Sequence, residues 1–328
     1  MQTLAYKQET LIPDTSNSIE GSILNILAYF DVFHYPLSPN EIKQFLDQEV
    51  NGSALEKSLI LLTEKKYIYK FFNFYSLHND LLLVEKRIAG NLRAEKLLAK
   101  AIKIGRLLYQ FPFVRAIGIS GSLSKQYADE KADIDFLVIT KANRLWIART
   151  IMHVFKKFTF LLGRQHFFCM NYYVDEDALI LENRNIYSAI ELKTLLPVCG
   201  QVAMNNFFVV NKWANDFFPA CRFRNQYNPD SPGSWIKKQI EWILNNKIGT
   251  SIDKWLQKLT ENRWTMKEKK GKQNNKGQTM CMVTGRHFSW MNPGSYNEKV
   301  LLEYDEKLCT LRSKMPQWFE DISPSFSM

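Results

Sequence analysis

The stretch AIGISGSLSKQYADEKADIDFLVIT, residues 116–140, decides how the centre of this chain folds. Its second apolar run, residues 134–139, predicts a buried β-strand, yet Asp133 and Asp135 stand one residue apart at its start. Side chains at i and i+2 of a strand point to the same side, so these carboxylates face the same way. At about 5 Å and an effective dielectric of roughly 20 they repel by about 3 kcal/mol. A divalent cation removes this cost, and Mg²⁺ prefers carboxylate and phosphate oxygens, so the pair predicts a metal site.

A phosphate site is predicted a few residues upstream. Residues 114–120 are mostly apolar and predict a strand, and Gly121-Ser122 ends that strand before a short helix over residues 123–128. Backbone N–H groups at the start of a helix can receive phosphate oxygens, and Gly121 has no side chain to block their approach. The Ser122 hydroxyl adds a further donor. The order is therefore strand, Gly-Ser, helical turn and Asp-x-Asp strand.

This order resembles the signature of the polymerase-β-type nucleotidyltransferase superfamily, over about residues 111–197. The resemblance implies that Gly121 and Ser122 hold the triphosphate of an NTP. It also implies that Asp133 and Asp135 are the catalytic residues and bind two Mg²⁺ ions, with Mn²⁺ as the alternative metal. The implied reaction moves a nucleoside monophosphate from the NTP to an acceptor hydroxyl and releases pyrophosphate. The acceptor stays open between a small molecule, a protein and a nucleic acid.

Active members of that superfamily usually bring a third carboxylate from a later strand. That strand is predicted over residues 166–174, where Asn171 is the polar position among apolar neighbours and Asp175 follows directly. Asn171 offers a carbonyl oxygen without charge, whereas a shifted strand would present Asp175. Both residues are candidates. Arg286, in a loop predicted before the last helix, is a further candidate for holding the triphosphate, and His287 for assisting proton transfer.

Residues 18–78 resemble a winged helix-turn-helix domain. Helices are predicted over residues 20–33, 38–46 and 53–64, the second opened by the capping box Ser38-Pro39-Asn40-Glu41, and an aromatic-rich hairpin is predicted around Asn73. A DNA-binding version would place its third helix in the major groove. That helix carries Lys57 and Lys65 among leucine and isoleucine residues. DNA is therefore one candidate partner of this unit, and packing on the central domain or positioning of an acceptor is the competing interpretation.

The predicted fold class is α/β (α+β), with a small mixed-sheet nucleotidyltransferase domain between a winged-helix-like domain and a C-terminal helical region. The predicted divisions are a flexible tail (1–18), the winged-helix-like domain (19–79), the central domain with its leading connector helix (80–198) and a mostly helical remainder (199–328). Further helices are predicted over residues 140–158 and from capping boxes at Ser188 and Ser295. A Lys-rich loop is predicted over residues 266–277, and the recurring tryptophans after residue 200 are predicted to be core.

Composition narrows the class of partner and the cellular location. Lys and Arg number 43 against 33 Asp and Glu, and this formal net charge of +10 favours anionic partners such as nucleotides or nucleic acid. The five scattered cysteines show no disulfide or zinc spacing, and P-loop, Rossmann and zincin motifs are absent from the sequence. The N-terminus lacks a signal peptide pattern and no apolar run is long enough to span a bilayer. A cytoplasmic protein with no membrane partner is therefore predicted.

The competing hypothesis is a catalytically degenerate nucleotidyltransferase-fold protein. Such a protein would act as a DNA- or protein-binding regulator through its winged-helix domain, and Asn171 in place of a third carboxylate is the feature that keeps this hypothesis open. The two hypotheses differ in whether Asp133 and Asp135 are needed for the activity.

Overall fold

A computed structural model gives the fold of residues 18–130, 132–160, 167–225, 233–273, 281–291 and 295–319, and of residues 277 and 279. The fold class is mixed α/β, with a two-stranded sheet near the N-terminus and a six-stranded mixed sheet at the centre. The tail predicted over residues 1–18 lies outside the described residues except for Ser18. Residues 274–276 of the predicted Lys-rich loop also lie outside them.

Three helices and a hairpin form the N-terminal unit, as predicted. They are α1 (Ile19–Asp31), α2 (Pro39–Gln44), α3 (Gly52–Glu64), β1 (Tyr69–Phe71) and β2 (Phe74–Ser76). The capping box that opens α2 is confirmed, because the Ser38 hydroxyl accepts from the Glu41 amide and the Glu41 carboxylate accepts from the Ser38 amide. The solvent face of α3 is mixed in charge and carries Glu56, Lys57, Ile60 and Glu64.

The N-terminal unit packs directly on the rest of the chain. The long helix α4 (Leu81–Tyr109) follows it, and the guanidinium of Arg87 lies 3.6 Å from the ring centroid of Tyr35 and donates to Glu41 at 2.6 Å. The Tyr35 hydroxyl donates in turn to the carbonyl of Lys125, at 2.5 Å. Buried side chains of α1 and α3 belong to the same hydrophobic cluster as one face of the central sheet. The unit is therefore continuous with the central core.

The central sheet has the order β6-β3-β4-β5-β8-β7. Its strands are β3 (Val114–Ser120), β4 (Asp135–Thr140), β5 (Cys169–Asp175), β6 (Leu196–Cys199), β7 (Met282–Thr284) and β8 (Phe288–Met291). Neighbouring strands are antiparallel except β4 and β5, which are parallel. The predictions of β3 and β4 are confirmed, and β5 begins three residues later than predicted. The sequence did not predict β6, β7 or β8.

The remaining helices cover both faces of this sheet. They are α5 (Gly121–Ser124), α6 (Leu145–Phe160), α7 (Ile186–Thr194), α8 (Gln201–Val210), α9 (Ala214–Phe217), α10 (Trp235–Leu244), α11 (Lys247–Lys269) and α12 (Tyr296–Lys314). One face of the sheet, with Leu137 and Ile139, packs against the N-terminal unit, α7 and α8. The other face, with Phe136 and Val138, packs against α4 and α6. Asp135 alternates with Phe136 and so belongs to the first face.

Several helix boundaries differ from the predictions. The capping box at Ser188 is wrong, because α7 begins at Ile186 and Asn185 caps it by accepting from the Ser188 amide. The capping box at Ser295 is also wrong, because that residue has φ 53° and its side chain makes no cap hydrogen bond. The Lys-rich segment begins inside a helix, since α11 continues to Lys269.

The tryptophans after residue 200 divide between core and surface. Trp213 is buried, as predicted, but Trp235, Trp242 and Trp255 are 72, 80 and 62% exposed. The core prediction is wrong for these three, because helical spacing shows that one face is apolar without showing whether anything covers it. In the part of the chain that the structure describes, no helix combines the length and apolar character needed to cross a bilayer.

Candidate functional site

The corner between β3, α5 and β4 brings the Gly-Ser pair next to the aspartates. Ser120 and Asp135 are register partners in the antiparallel β3–β4 pair, so Gly121 turns away beside the first residue of β4. Gly121 has φ +68°, a left-handed conformation that favours glycine. A Cβ atom on it would lie 2.6 Å from Oδ2 of Asp135. Any side chain at residue 121 would therefore require the Asp135 carboxylate to move.

The two aspartates flank a buried residue at the start of β4. Ile134 is fully buried on one face of the sheet, and Asp133 and Asp135 are partly exposed on either side of it. Both carboxylates lie close enough to Cys169 to affect its ionisation: burial, together with Asp135 and Asp133, raises the pKa of the Cys169 thiol to about 11. The thiol is therefore mostly protonated at neutral pH.

Asn171 completes this corner from the neighbouring strand. Phe136 pairs with Met170 and Leu137 with Tyr172, so Asn171 is an extra residue in β5, a β-bulge without a partner in β4. Bulges redirect a side chain, and here the Asn171 amide nitrogen donates to Oδ1 of Asp135 at 2.6 Å. The predicted third polar position therefore lies beside Asp135.

Residues of α7, of α12 and of the end of α5 form a polar wall near Asp135. Lys125 Nζ donates to the Gly121 carbonyl at 3.1 Å and to the Glu191 carboxylate at 2.6 Å. Tyr187 lies one turn before Glu191 on α7, and its ring centroid is 6.5 Å from that of Tyr296. Burial, Glu191 and Asp135 together raise the pKa of both tyrosines. Both phenols stay protonated at neutral pH and are hydrogen-bond donors near Asp135.

The side chains at this corner suit a hard divalent cation. The carboxylates of Asp133 and Asp135 supply charged oxygens, the amide of Asn171 can supply a neutral one, and Ser122 presents an exposed hydroxyl on the first turn of α5. A set made of oxygen donors is what Mg²⁺ and Mn²⁺ bind. The donor set therefore fits the predicted metal.

The structure places Asp175 at the opposite end of the sheet. Asp135 pairs with Cys169 whereas Asp175 pairs with Thr140, so five residues of strand, about 16 Å, separate Asp175 from the Asp135 corner. Asp175 is fully buried and accepts from the backbone amides of Asn143 and Asp177 at 2.8 and 3.0 Å. The structure therefore does not bring Asp175 to the Asp133 and Asp135 site. Because β5 runs parallel to β4, a residue at its end lies away from a residue at the start of β4.

Arg286 and His287 also lie at that opposite end. Arg286 donates to Asp253 of α11 at 2.7 Å, and His287 Nδ1 lies 2.9 Å from Asp175 Oδ2. The structure therefore does not bring Arg286 to Gly121 and Ser122, the residues predicted to hold the same triphosphate. Arg286 lies at this end because β8, which follows it, pairs with the end of β5.

Asp175, Asp177 and His287 form a second group that could hold a metal ion. One ligand atom from each lies within 4.8 Å of the others. Both oxygens of Asp175 already accept hydrogen bonds, and Asn143 Nδ2 donates to Asp177 at 2.9 Å. These hydrogen bonds give the two carboxylates a structural role, because they connect the loop after β4 with the loop after β5.

Sequence reasoning missed the residues of the polar wall. Lys125 follows Gly121 by four residues, a spacing that places it over the same helical turn, and this signal was available. Glu191, Tyr187 and Tyr296 carry no local motif, because they reach the corner only through the packing of α7 and α12.

Comparison with protein-family models, with curated proteins and with solved structures found no match for this chain.

Proposed function

We propose that this protein is a Mg²⁺-dependent nucleotidyltransferase that moves a nucleoside monophosphate from an NTP to an acceptor hydroxyl. The observation that carries the proposal is the close approach of Gly121 to Asp135, where a side chain on the glycine would collide with the carboxylate. This contact joins a turn suited to phosphates with a carboxylate pair suited to a metal. A metal-bound triphosphate needs both features side by side.

Each residue of the corner has a part in this reaction. The N–H groups of the turn at Gly121 and the hydroxyl of Ser122 bind phosphate oxygens of the NTP. Asp133 and Asp135 hold the Mg²⁺ ions, which supply charge neutralisation at the phosphates when bound. The acceptor oxygen forms a bond to the α-phosphorus as the bond from that phosphorus to the bridging oxygen breaks. Pyrophosphate leaves, and the hydroxyl proton passes to solvent.

The polar wall and Asn171 position the reacting groups. Asn171 fixes the rotamer of Asp135 through its amide hydrogen bond at 2.6 Å. Lys125 donates to both Gly121 and Glu191, which holds its ammonium group beside the Gly-Ser turn. Its ammonium group offsets phosphate charge, and the tyrosine hydroxyls of the wall donate to the substrate.

A transfer assay tests this function. The protein is incubated with Mg²⁺, each NTP radiolabelled at the α-phosphorus or, in parallel, at the γ-phosphorus, and a cell extract that keeps its small molecules as the source of acceptors. We expect label in a new species, equimolar pyrophosphate, and a loss of about a hundredfold or more in Asp133→Asn and Asp135→Asn. The exposed double variant Asp129→Asn/Glu130→Gln, in the same loop, is the matched control and should keep full activity. Full activity of Asp133→Asn, or transfer of label from the γ-phosphorus instead, would contradict the proposal.

A nucleotide-binding protein without transfer is the second candidate, and Asn171 is the observation that favours it. An amide cannot act as a general base, and its N–H group occupies Oδ1 of Asp135. In that case Mg²⁺ and NTP would bind without release of pyrophosphate, and binding would regulate contacts of the N-terminal unit. A DNA partner would be shown by salt-dependent retention on DNA that charge reversal at Lys57 and Lys65 abolishes.

A further inference from the structure

The outer face of α10 is apolar and uncovered by the described residues. Trp235, Ile236, Trp242 and Ile243 are 72, 51, 80 and 56% exposed. Their spacing of one and seven residues places all four on one side of the helix, with Gln239 between them. Exposed apolar side chains scattered singly are ordinary, but two tryptophans and two isoleucines on one short helix form a continuous patch.

Helix α11, joined to α10 through Asn245-Asn246, exposes two further large apolar side chains. Ile248 and Trp255, seven residues apart and so on one side of α11, are 69 and 62% exposed. The inner residues of both helices, Leu244 of α10 and Ile252 and Leu256 of α11, pack against one small cluster with Phe113 and Ile147. The outer faces of both helices are the sides that this cluster does not cover.

The charges of the two helices are mostly positive. Lys238, Lys247, Lys254 and Lys258 are exposed on these two helices. The carboxylates within residues 235–260 are Glu241 and Asp253, and both are paired inward, with Arg115 at 2.9 Å and with Arg286 at 2.7 Å. Beyond residue 260, α11 also carries Glu261 and Glu268 beside Arg263, Lys267 and Lys269, so the basic residues of the two helices outnumber the acidic ones by eight to four.

We propose that the outer faces of α10 and α11 dock on the surface of an anionic lipid bilayer. Tryptophan rings occupy the boundary between head groups and acyl chains, isoleucines enter the acyl region, and lysines on the same helices reach the lipid phosphates. The net charge of +10 adds long-range attraction to such a surface. The predicted absence of a membrane partner rested on the length needed to span a bilayer, which interfacial docking does not require.

Charge and side-chain type favour lipid over the other occupants. A second copy on the same patch would bring lysines against the same lysines across a two-fold axis, where like charges repel. A nucleic acid would gain stacking from the tryptophans, but Ile236, Ile243 and Ile248 offer nothing to bases or phosphates. An anionic bilayer matches the apolar residues and the lysines together.

Vesicle sedimentation tests the proposal on the full-length protein. We expect binding to vesicles of phosphatidylcholine mixed with phosphatidylglycerol, at least about tenfold weaker binding to phosphatidylcholine alone, and weakening by salt. The variant Trp235→Ala/Trp242→Ala/Trp255→Ala should lose about tenfold or more of its affinity, and Lys254→Gln/Lys258→Gln should lose the preference for anionic lipid. These side chains are exposed, so circular dichroism and the melting temperature should not change.

Matched controls stand on the N-terminal unit. Phe72→Ala, 71% exposed at the tip of the hairpin, and Lys43→Gln/Lys57→Gln, also exposed, should bind vesicles like the wild type. Equal binding by wild type and the triple tryptophan variant would overturn the proposal, as would no binding to anionic vesicles at low salt. A dimer in sedimentation velocity that the tryptophan variants abolish would assign the face to a second copy. Single-stranded RNA binding that these variants abolish, without vesicle binding, would assign it to nucleic acid.

Discussion

Gly121 is the residue on which the proposed phosphate site depends most. Its φ of +68° is unfavourable for any other residue, and a Cβ atom would lie 2.6 Å from Asp135 Oδ2. Gly121→Ala should therefore lower the free energy of unfolding by about 1–3 kcal/mol and displace the carboxylate. Denaturant unfolding gives the stability and calorimetric titration with Mg²⁺ and NTP gives the binding.

Gly271→Ala is the matched control for this substitution. Gly271 has φ +59°, but a Cβ atom on it meets nothing within 4 Å. Gly271→Ala should lower the free energy of unfolding only by the cost of a left-handed backbone at alanine, and its affinity for nucleotide should equal that of the wild type. If Gly121→Ala binds nucleotide as the wild type does, the close approach to Asp135 has no role in binding.

Asn171 is the residue at which the enzyme hypothesis and the degenerate-protein hypothesis differ most, because a third carboxylate is expected there in an active enzyme. Asn171→Asp replaces the amide that donates to Asp135 at 2.6 Å by a carboxylate, the third of this corner after Asp133 and Asp135. Without metal the repulsion should cost up to about 4 kcal/mol at an effective dielectric near 20. With Mg²⁺ the third carboxylate becomes a ligand, so the loss should be recovered. Denaturant unfolding in EDTA and in Mg²⁺ measures both values.

An exposed position gives the control for added charge. Asn205→Asp on α8 also adds a carboxylate and should respond to Mg²⁺ as the wild type does. If Mg²⁺ stabilises Asn171→Asp no more than it stabilises Asn205→Asp, the corner is not a cation site.

At the scale of elements, Glu241 fastens α10 to the start of β3. Its carboxylate accepts from both terminal nitrogens of Arg115 at 2.9 and 3.0 Å and from the Phe113 amide at 2.6 Å. Burial opposes ionisation of Glu241, but these hydrogen bonds outweigh burial and lower its pKa. A carboxylate with a lowered folded-state pKa adds stability above its unfolded pKa, and this stability is lost as pH falls through the folded value.

Glu241→Gln should therefore lose about 1–2 kcal/mol of unfolding free energy at pH 7. The difference from wild type should shrink as pH falls below about 4.5, where the unfolded-state carboxyl takes up its proton. Urea unfolding across this pH range measures it, with exposed Glu306→Gln on α12 as the control. A difference that does not change with pH would contradict the pairing.

The elements that sequence reasoning found are those fixed by local patterns. The capping box at Ser38, the apolar run of β3 and the hairpin around Asn73 each contain their own signal, and each was confirmed. The corner of Gly121, Asp133 and Asp135 lies within one such stretch. Asp175 was a candidate for this corner because it directly follows the predicted strand, and Arg286 because a loop arginine can hold a triphosphate. Only the parallel pairing of β4 and β5 shows that they stand at the far end of the sheet.

Non-local packing explains what the sequence could not predict. The short strands β7 and β8 have three and four residues and become strands by adding to the edge of β5. Glu191 and Tyr296 approach the corner only because α7 and α12 pack on the same face of the sheet. The exposed face of α10 has the same spacing as a buried one, so its tryptophans could not be assigned to the surface beforehand.

At the scale of the whole molecule, one hydrophobic cluster joins the N-terminal unit to the central sheet and to α12. Leu24 of α1, Leu137 of β4 and Tyr304 of α12 are buried in it together. We therefore expect one calorimetric unfolding transition for the whole chain, and Leu24→Ala should lower its midpoint through a loss of about 2–5 kcal/mol. Two transitions, of which Leu24→Ala moves one alone, would show that the N-terminal unit unfolds independently.

If the whole chain unfolds in a single transition, ligand binding can be measured as a rise in the melting temperature. A ligand at about ten times its Kd adds roughly 1.4 kcal/mol to the folded state, a shift of about 2–4 °C for a chain of this order of size. The shift requires no knowledge of the acceptor, so it isolates the nucleotide site.

The most direct test of the central claim is thermal unfolding with each of the four NTPs, with and without Mg²⁺, for the wild type and for Asp133→Asn/Asp135→Asn. Asp129→Asn/Glu130→Gln serves as the control for lost charge in the same loop. The proposed function predicts a rise in the melting temperature with at least one NTP that requires both Mg²⁺ and the two aspartates. No rise with any nucleotide, or an equal rise in the Asp133→Asn/Asp135→Asn variant, would contradict a metal-dependent nucleotide site at this corner.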